Sequence, residues 1–313
     1  MLIKSADDKS KRLKLLDDLK HAHSLDERQK KWLNDEYWRV KQGIEGERDA
    51  AYYIDAHFKD AQNHVILHDL RLICDGEVAQ IDHLVIARGF IFYLLETKAF
   101  NGNLVINEQG EFTVNYGSRQ FGIESPIEQS KRHEAILMRV LDKLGISGRV
   151  QSKPNIQYAI LLHPKSVITR PDPKRFNTRN VIKADQFGSW RKTFVDKEAG
   201  IGAILGVALN IRSLETVAEW GQMLKRQHQP KNILELPDFM RPKPQVSNIA
   251  PTQQPIPNKE SASSNGTGAR TEKRLICATC GAKITYPEGK FCWNLAERFG
   301  GKQYCRSCQA AFR

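Results

Sequence analysis

Three side chains in the first half of the sequence have types and spacing that suit phosphate chemistry. Asp82 lies inside an apolar run, Ile81-Asp82-His83-Leu84-Val85-Ile86, and 14 residues later comes Leu94-Leu95-Glu96-Thr97-Lys98. Charges within such strands are costly to bury unless they are paired or bound to metal. Two carboxylates and a lysine at one sheet surface fit metal-assisted phosphodiester hydrolysis. Asp82 and Glu96 would hold Mg²⁺ or Mn²⁺ through hard oxygen ligands. The ion lowers the pKa of a bound water, and Lys98 orients that water and offsets developing negative charge. The bland alternative is a structural salt bridge between Lys98 and Asp82 or Glu96.

A second group lies near the C-terminus, where Cys277-x2-Cys280 and Cys305-x2-Cys308 are separated by 24 residues. Each pair presents two thiolates, and four thiolates make a tetrahedral Zn²⁺ site. A dithiol redox pair is the alternative, which two pairs bounding one small module disfavour. Between Lys273 and Arg313 there are eight Lys/Arg and two Glu, half of the chain's net charge of +12. So short a module has too little apolar surface to fold unaided, and the zinc is expected to be structural. Its basic groups suit phosphate. Tyr286, Phe291, Trp293, Phe299 and Tyr304 serve either base stacking or the module's own core. Cys292 is read as a small core residue, and Cys74, beside the Asp75-Gly76 turn, is given no role.

The elements that must position Asp82, Glu96 and Lys98 are legible in outline. Strand-like runs cover 64–72, 78–87, 90–97, 104–107 and 111–115, with turn residues at Asp75-Gly76, Arg88-Gly89, Asn101-Gly102 and Gln109-Gly110. A hairpin at Arg88-Gly89 brings Asp82 beside the Glu96 strand. A two-residue turn sets Asp82 opposite Leu95, and one further loop residue or a bulge sets it opposite Glu96, so the register stays open. Glu96 and Lys98 share a face and Thr97 points away. Helices are expected over 45–58 and 127–144, the latter opened by Pro126 and closed by Gly145, then a strand over 156–162, another at 180–182 and a helical region over 184–227.

Four regions follow: an N-terminal helical segment, 1–42; an α/β domain, 43–235; a flexible linker, 236–272; and the cysteine module, 273–313. Six of the chain's 13 prolines fall between Pro237 and Pro257 and mark the linker. Trp32, Tyr37 and Trp38 in the first segment are candidate anchors for a protein partner.

Gly46-Glu47-Arg48 on a first helix, Gln80-Ile81-Asp82-His83 on a strand, Glu96-Thr97-Lys98 ending the next, and Pro126…Gln129 at a helix start occur in the order of a known family. The stretch from Gly43 to Leu144 resembles the nuclease-related domain (NERD), assigned to the PD-(D/E)xK restriction-endonuclease-like superfamily. Ile81 stands where the family usually has proline. The resemblance implies a restriction-endonuclease-like mixed sheet flanked by helices, with Asp82, Glu96 and Lys98 as the reactive set. By the same resemblance Glu47 is a further acidic contributor and Gln129 the polar helix residue facing the site. Read without it, Glu47 could complement a helix N-terminus, Gln129 could cap its own helix, His83 is a packed or bonded histidine, and Asp69 is an exposed strand-edge carboxylate.

The basic balance suits a polyanionic partner. The longest apolar stretch, 201–211, has 11 residues with two Gly and an Asn, too short for a membrane span. Met1 to Lys20 carries no apolar run typical of a secretory leader. The expectation is therefore a cytoplasmic, metal-dependent nuclease, with DNA ranked ahead of RNA and a zinc module assisting binding. The alternative is a non-catalytic nucleic-acid-binding or regulatory protein on the same scaffold.

Overall fold

The computed structural model describes residues 1–22, 24–59, 63–100, 102–149, 152–198, 206–240, 275–310 and 312. Contacts divide the chain into two units, Met1–Gln245 and Val246–Arg313. Most of the linker expected over 236–272 lies outside the described residues.

The first unit is built on a six-stranded mixed sheet in the order β1-β2-β3-β4-β8-β10. Its strands are β1 (Leu2–Lys4), β2 (His64–Cys74), β3 (Glu77–Ala87), β4 (Ile91–Lys98), β8 (Asn155–Leu162) and β10 (Val181–Lys183). β2, β3 and β4 run antiparallel in succession, and β4, β8 and β10 run parallel. A smaller mixed sheet, in the order β7-β6-β5-β9, uses β5 (Asn103–Ile106), β6 (Phe112–Tyr116), β7 (Arg119–Ile123) and β9 (Ile168–Thr169). The mixed α/β class expected from the sequence is the one observed.

Helices cover both faces of the large sheet. On one face α3 (Pro126–Lys143) and α5 (Leu214–Arg226) pack Leu137, Leu141, Val217 and Leu224 against Leu67, Leu84 and Leu94. On the other, α2 (Glu27–Phe58) and α4 (Phe187–Glu198) pack Ala50, Ile54 and Phe187 against Val85, Tyr93 and Leu161. Ser125 caps α3 by accepting the Glu128 amide, and Pro126 opens its first turn.

The N-terminal segment differs from the expectation. Residues 2–4 form β1, parallel to β2, rather than the start of a helix, because the apolar stripe begins only at Leu13. Helix α1 (Ser10–Lys20) follows, and α2 runs unbroken across position 42, where a region boundary was placed. Trp32, Tyr37 and Val40 pack with Leu236, Phe239 and Met240 around Leu16 and Leu33. Residues 236–240, placed at the head of the linker, are thus tied onto the helices, and Trp32 and Tyr37 serve internal packing. Trp38 is half exposed.

Candidate active site and metal centre

The β2–β3 connection is the two-residue turn Asp75-Gly76 with both φ positive, the geometry that suits right-twisted hairpins. Between β3 and β4 the loop has a third residue. Ala87 pairs with Ile91, and Arg88, Gly89 and Phe90 lie between them, with Phe90 at φ 61°. Continued past His83↔Leu95, this register sets Asp82 opposite Glu96. A second irregularity lies at the same level. His68 pairs with His83 and Leu70 with Ile81, while Asp69, at φ 54°, and the facing Asp82 make no ladder pair. Strict alternation fails there: Ile81 and Leu84, three apart, enter the same apolar cluster, as do Leu67 and Leu70. The kink frees two carboxylates at the centre of otherwise apolar strands.

Asp82 is 9% exposed and Glu96 3%. Asp82 Oδ2 accepts the Thr97 amide at 2.7 Å. Glu96 Oε1 accepts from Lys98 Nζ and from Gln129 Nε2, each at 2.8 Å. Lys98 Nζ also donates to Gln129 Oε1 at 2.8 Å, closing a three-membered ring of side chains. Gln129 therefore faces Glu96 and Lys98 instead of capping α3. Glu96 Oε2 is left without a hydrogen bond, and His133 Nδ1, 3.6 Å away, is an electrostatic neighbour with no hydrogen bond of its own.

Glu47 reaches the same region from the middle of α2, far from the helix N-terminus. The approach depends on Gly46, where a Cβ would lie 2.6 Å from that of Ala99. Glu47 Oε2 accepts from Lys9 Nζ at 2.7 Å, and Lys9 lies 3.3 Å from Asp69 Oδ2. Asp69 is 3% exposed, so the expected strand-edge carboxylate is a buried one. It also accepts from Gln80 Nε2 and from the Asp7 amide. The His68 and Asp69 carbonyls receive the buried Lys4 ammonium, which compensates the kink in β2. The sequence reading missed Lys9 and Asp69, because only the docking of the first nine residues places them here.

Electrostatics separates the two central acids. Burial raises the pKa of Asp82 well above the ordinary range, and the nearby Glu96 and Glu47 carboxylates push it further than the Thr97 amide and Lys98 pull it back. Burial also acts upward on Glu96, but His133 and Lys98 outweigh it and its pKa falls below the ordinary value. Glu47 is raised by burial, with Asp69 and Glu96 opposing the relief from Lys9. Protonation therefore falls on Asp82 first, and the pair has a net shortage of positive charge. Hard oxygens, a destabilised carboxylate and the unpartnered Glu96 Oε2 are a donor set that fits a divalent cation. A cavity of about 250 Å³ opens beside Lys98, lined by Gly46, Asp49, Thr97, Phe100 and His163 among others.

In the second unit the Sγ atoms of Cys277, Cys280, Cys305 and Cys308 all lie within 4.8 Å of one another. Among the described residues this is the one cluster of His, Cys, Asp or Glu that converges so tightly. The 3.7 Å between Cys280 and Cys305 Sγ is close to the edge of about 3.8 Å that a tetrahedron of 2.3 Å Zn–S bonds requires. The thiols do not share the ionisation evenly. The amides of Cys280, Cys305 and Thr279 bring the Cys277 thiol down to about 6, with burial opposing. Hydrogen bonds from Cys305 and Cys280 push Cys308 up to about 12. The cluster suits a metal ion that would let all four ionise together. Cys292 stands apart in the core, its Sγ accepting from the Tyr304 amide. Phe299 and Tyr304 are buried with it, whereas Phe291 and Trp293 remain partly exposed. Cys74 is buried in the main core beneath α3.

A mixed α/β domain with clustered acids, a lysine and a glutamine at the kinked end of its sheet is an architecture consistent with hydrolytic nucleic-acid enzymes. The family model described as NERD, nuclease-related domain, matches residues 42–169. The chain is therefore similar to nuclease-related proteins over a stretch that holds Glu47, Asp82, Glu96, Lys98 and Gln129. Searches against curated proteins and against solved structures find no match. Among the described residues no helix is long and apolar enough to cross a membrane.

Proposed function

We propose that the first unit is a metal-dependent nuclease acting on DNA in preference to RNA, with Asp82 and Glu96 holding Mg²⁺ or Mn²⁺. The observation that supports this most is the buried ring of Glu96, Lys98 and Gln129 beside a carboxylate, Asp82, whose charge is left uncompensated. When bound, the ion supplies Lewis acidity toward a phosphoryl oxygen and acidity to a water. Lys98 donates two of its ammonium protons within the ring and keeps the third for the attacking water or a phosphate oxygen. Gln129 fixes Lys98 and Glu96 relative to one another, and Glu47 adds negative charge at the edge of the site. The cavity beside Lys98 admits a nucleotide of the scissile strand.

The cysteine module, holding Zn²⁺, contributes basic surface for nucleic acid. Tethering makes its contact with DNA intramolecular once the first unit is bound. A binding-only role for the scaffold finds support in Lys9, which already supplies a cation to Glu47 and Asp69. Strand cleavage of supercoiled and linear DNA with Mg²⁺, Mn²⁺ or EDTA separates the two. Wild type and Lys98→Ala are purified in parallel. Metal-dependent cutting absent from the variant supports the nuclease; intact binding without cutting supports the scaffold.

A further inference from the structure

Behind the site, on the α2 face of the sheet, lies a buried polar chain that the proposed chemistry does not use. His68 Nδ1 is 2.8 Å from His83 Nδ1. His68 Nε2 is 3.2 Å from Asp55 Oδ1, and His83 Nε2 is 3.0 Å from Thr97 Oγ1. Both imidazoles are buried, while Asp55, on α2, is 46% exposed and ends the chain at the surface.

Two ring nitrogens 2.8 Å apart need one that carries a proton and one that does not. Burial lowers the pKa of both rings, His83 most strongly, so each is neutral with a single proton. The Asp55 carboxylate can only accept, which makes His68 Nε2 the donor. His68 Nδ1 is then bare and accepts from His83 Nδ1–H. That leaves His83 Nε2 bare, so it accepts the Thr97 hydroxyl proton. One order of donors satisfies the whole chain, running from Thr97 through both rings to Asp55.

Thr97 is where this chain meets the acids. Its side chain is held on the α2 face, its amide donates to Asp82 Oδ2, and its two neighbours are Glu96 and Lys98. We propose that His83 and His68, anchored by Asp55, are positioning residues for the acidic site: they fix the Thr97 side chain, and through the Thr97 amide they fix Asp82. Such outer partners commonly set the orientation of metal-binding groups. The proposal rests on the nuclease reading for its consequence on metal binding, and not for the hydrogen-bond order itself.

The order is tested first on the full-length wild type by long-range ¹H–¹⁵N correlation of the histidine rings. His68 is expected as the Nε2–H form and His83 as the Nδ1–H form, the less common one for a free imidazole. The reversed forms, or a doubly protonated ring in either position, overturn the proposal. The positioning role is tested with Thr97→Val, which keeps the shape and removes the hydroxyl, and with the surface change Asp55→Ala. Hydrogen exchange of the residue-97 amide is expected to rise about tenfold in Thr97→Val and less in Asp55→Ala, as for loss of one neutral hydrogen bond. Apparent Mn²⁺ affinity should weaken in the same order. Unchanged exchange in both variants removes the positioning role even if the ring protons lie as assigned. Faster exchange in a protein whose wild type binds no Mn²⁺ sustains the positioning of Asp82 and removes the metal site.

Discussion

The carboxylate site and the cysteine centre both crowd groups of like charge, but they are held in place differently. Asp82 and Glu96 sit on adjacent strands of a six-stranded sheet covered on both faces, and each has a protein donor, Thr97 N for one and Lys98 with Gln129 for the other. The four thiols sit in a unit whose buried apolar residues are Ile284, Phe299 and Tyr304 together with Cys277 and Cys292. A scaffold of the first kind can carry uncompensated charge before any ion binds. One of the second kind has little besides its ligands, so ion and fold are a single thermodynamic event.

Removing zinc should break the comparison open most widely. Structural zinc contributes on the order of 10 kcal/mol to modules of this size, so a strong chelator is expected to abolish the near-ultraviolet dichroism of Trp293 and its neighbours. The unfolding transition of the first unit should persist unchanged. A module that keeps its tertiary signal in the chelator contradicts the dependence argued here.

Chemistry comes next. Asp82→Ala and Lys98→Ala are each expected to lower single-turnover DNA cleavage by roughly 10²–10³, the scale of losing one preorganised charge at a transition state. Both should retain the wild-type unfolding midpoint to within a few degrees. Cleavage retained in both purified variants would falsify the assignment.

A smaller effect sharpens the contrast in stability. The pKa of Asp82 is raised in the folded protein, so its stabilising contribution is full below the ordinary Asp value of 3.8 and is lost as pH rises through the raised value. Asp82→Asn keeps an acceptor for the Thr97 amide and removes the charge. At neutral pH and without metal it should raise Tm by roughly 2–4 °C, about 1 kcal/mol for a unit of this size. The gain should shrink as pH falls. A variant less stable than wild type at every pH would show that the Asp82 charge is already compensated.

The smallest expected effect concerns Lys9. Lys9→Met removes a cation from Glu47 and Asp69, and apparent Mn²⁺ affinity measured by calorimetry should tighten by roughly fivefold through lost repulsion. Weaker binding would mean that Lys9 organises the acids more than it competes with the ion.

Particular residues show how far sequence reasoning reached. The two Cys-x2-Cys pairs were fully legible, since a four-thiolate site is written in spacing. Asp82, Glu96 and Lys98 were legible as a set because charge inside apolar strands is conspicuous. Their register was not, because it turns on whether Phe90 belongs to the loop or to the strand, and its positive φ decides that. Asp69 looked like an edge residue because nothing local signals the kink that buries it. Gln129 was visible as a candidate, but its partners lie on β4, about 30 residues earlier in the chain.

The sequence by itself determined the mixed α/β class, the tight turn at Asp75-Gly76, the face shared by Glu96 and Lys98, and the thiol cluster. These depend on period, turn chemistry and short spacing, all properties of neighbouring residues. Only the tertiary structure decided that Asp82 meets Glu96, that Lys9 reaches Glu47 and Asp69, and that His68 meets His83 behind Thr97. Those contacts join residues 14 to 60 positions apart. They form only once the sheet register and the packing of the N-terminal segment are set, and those are settled by the whole core at once.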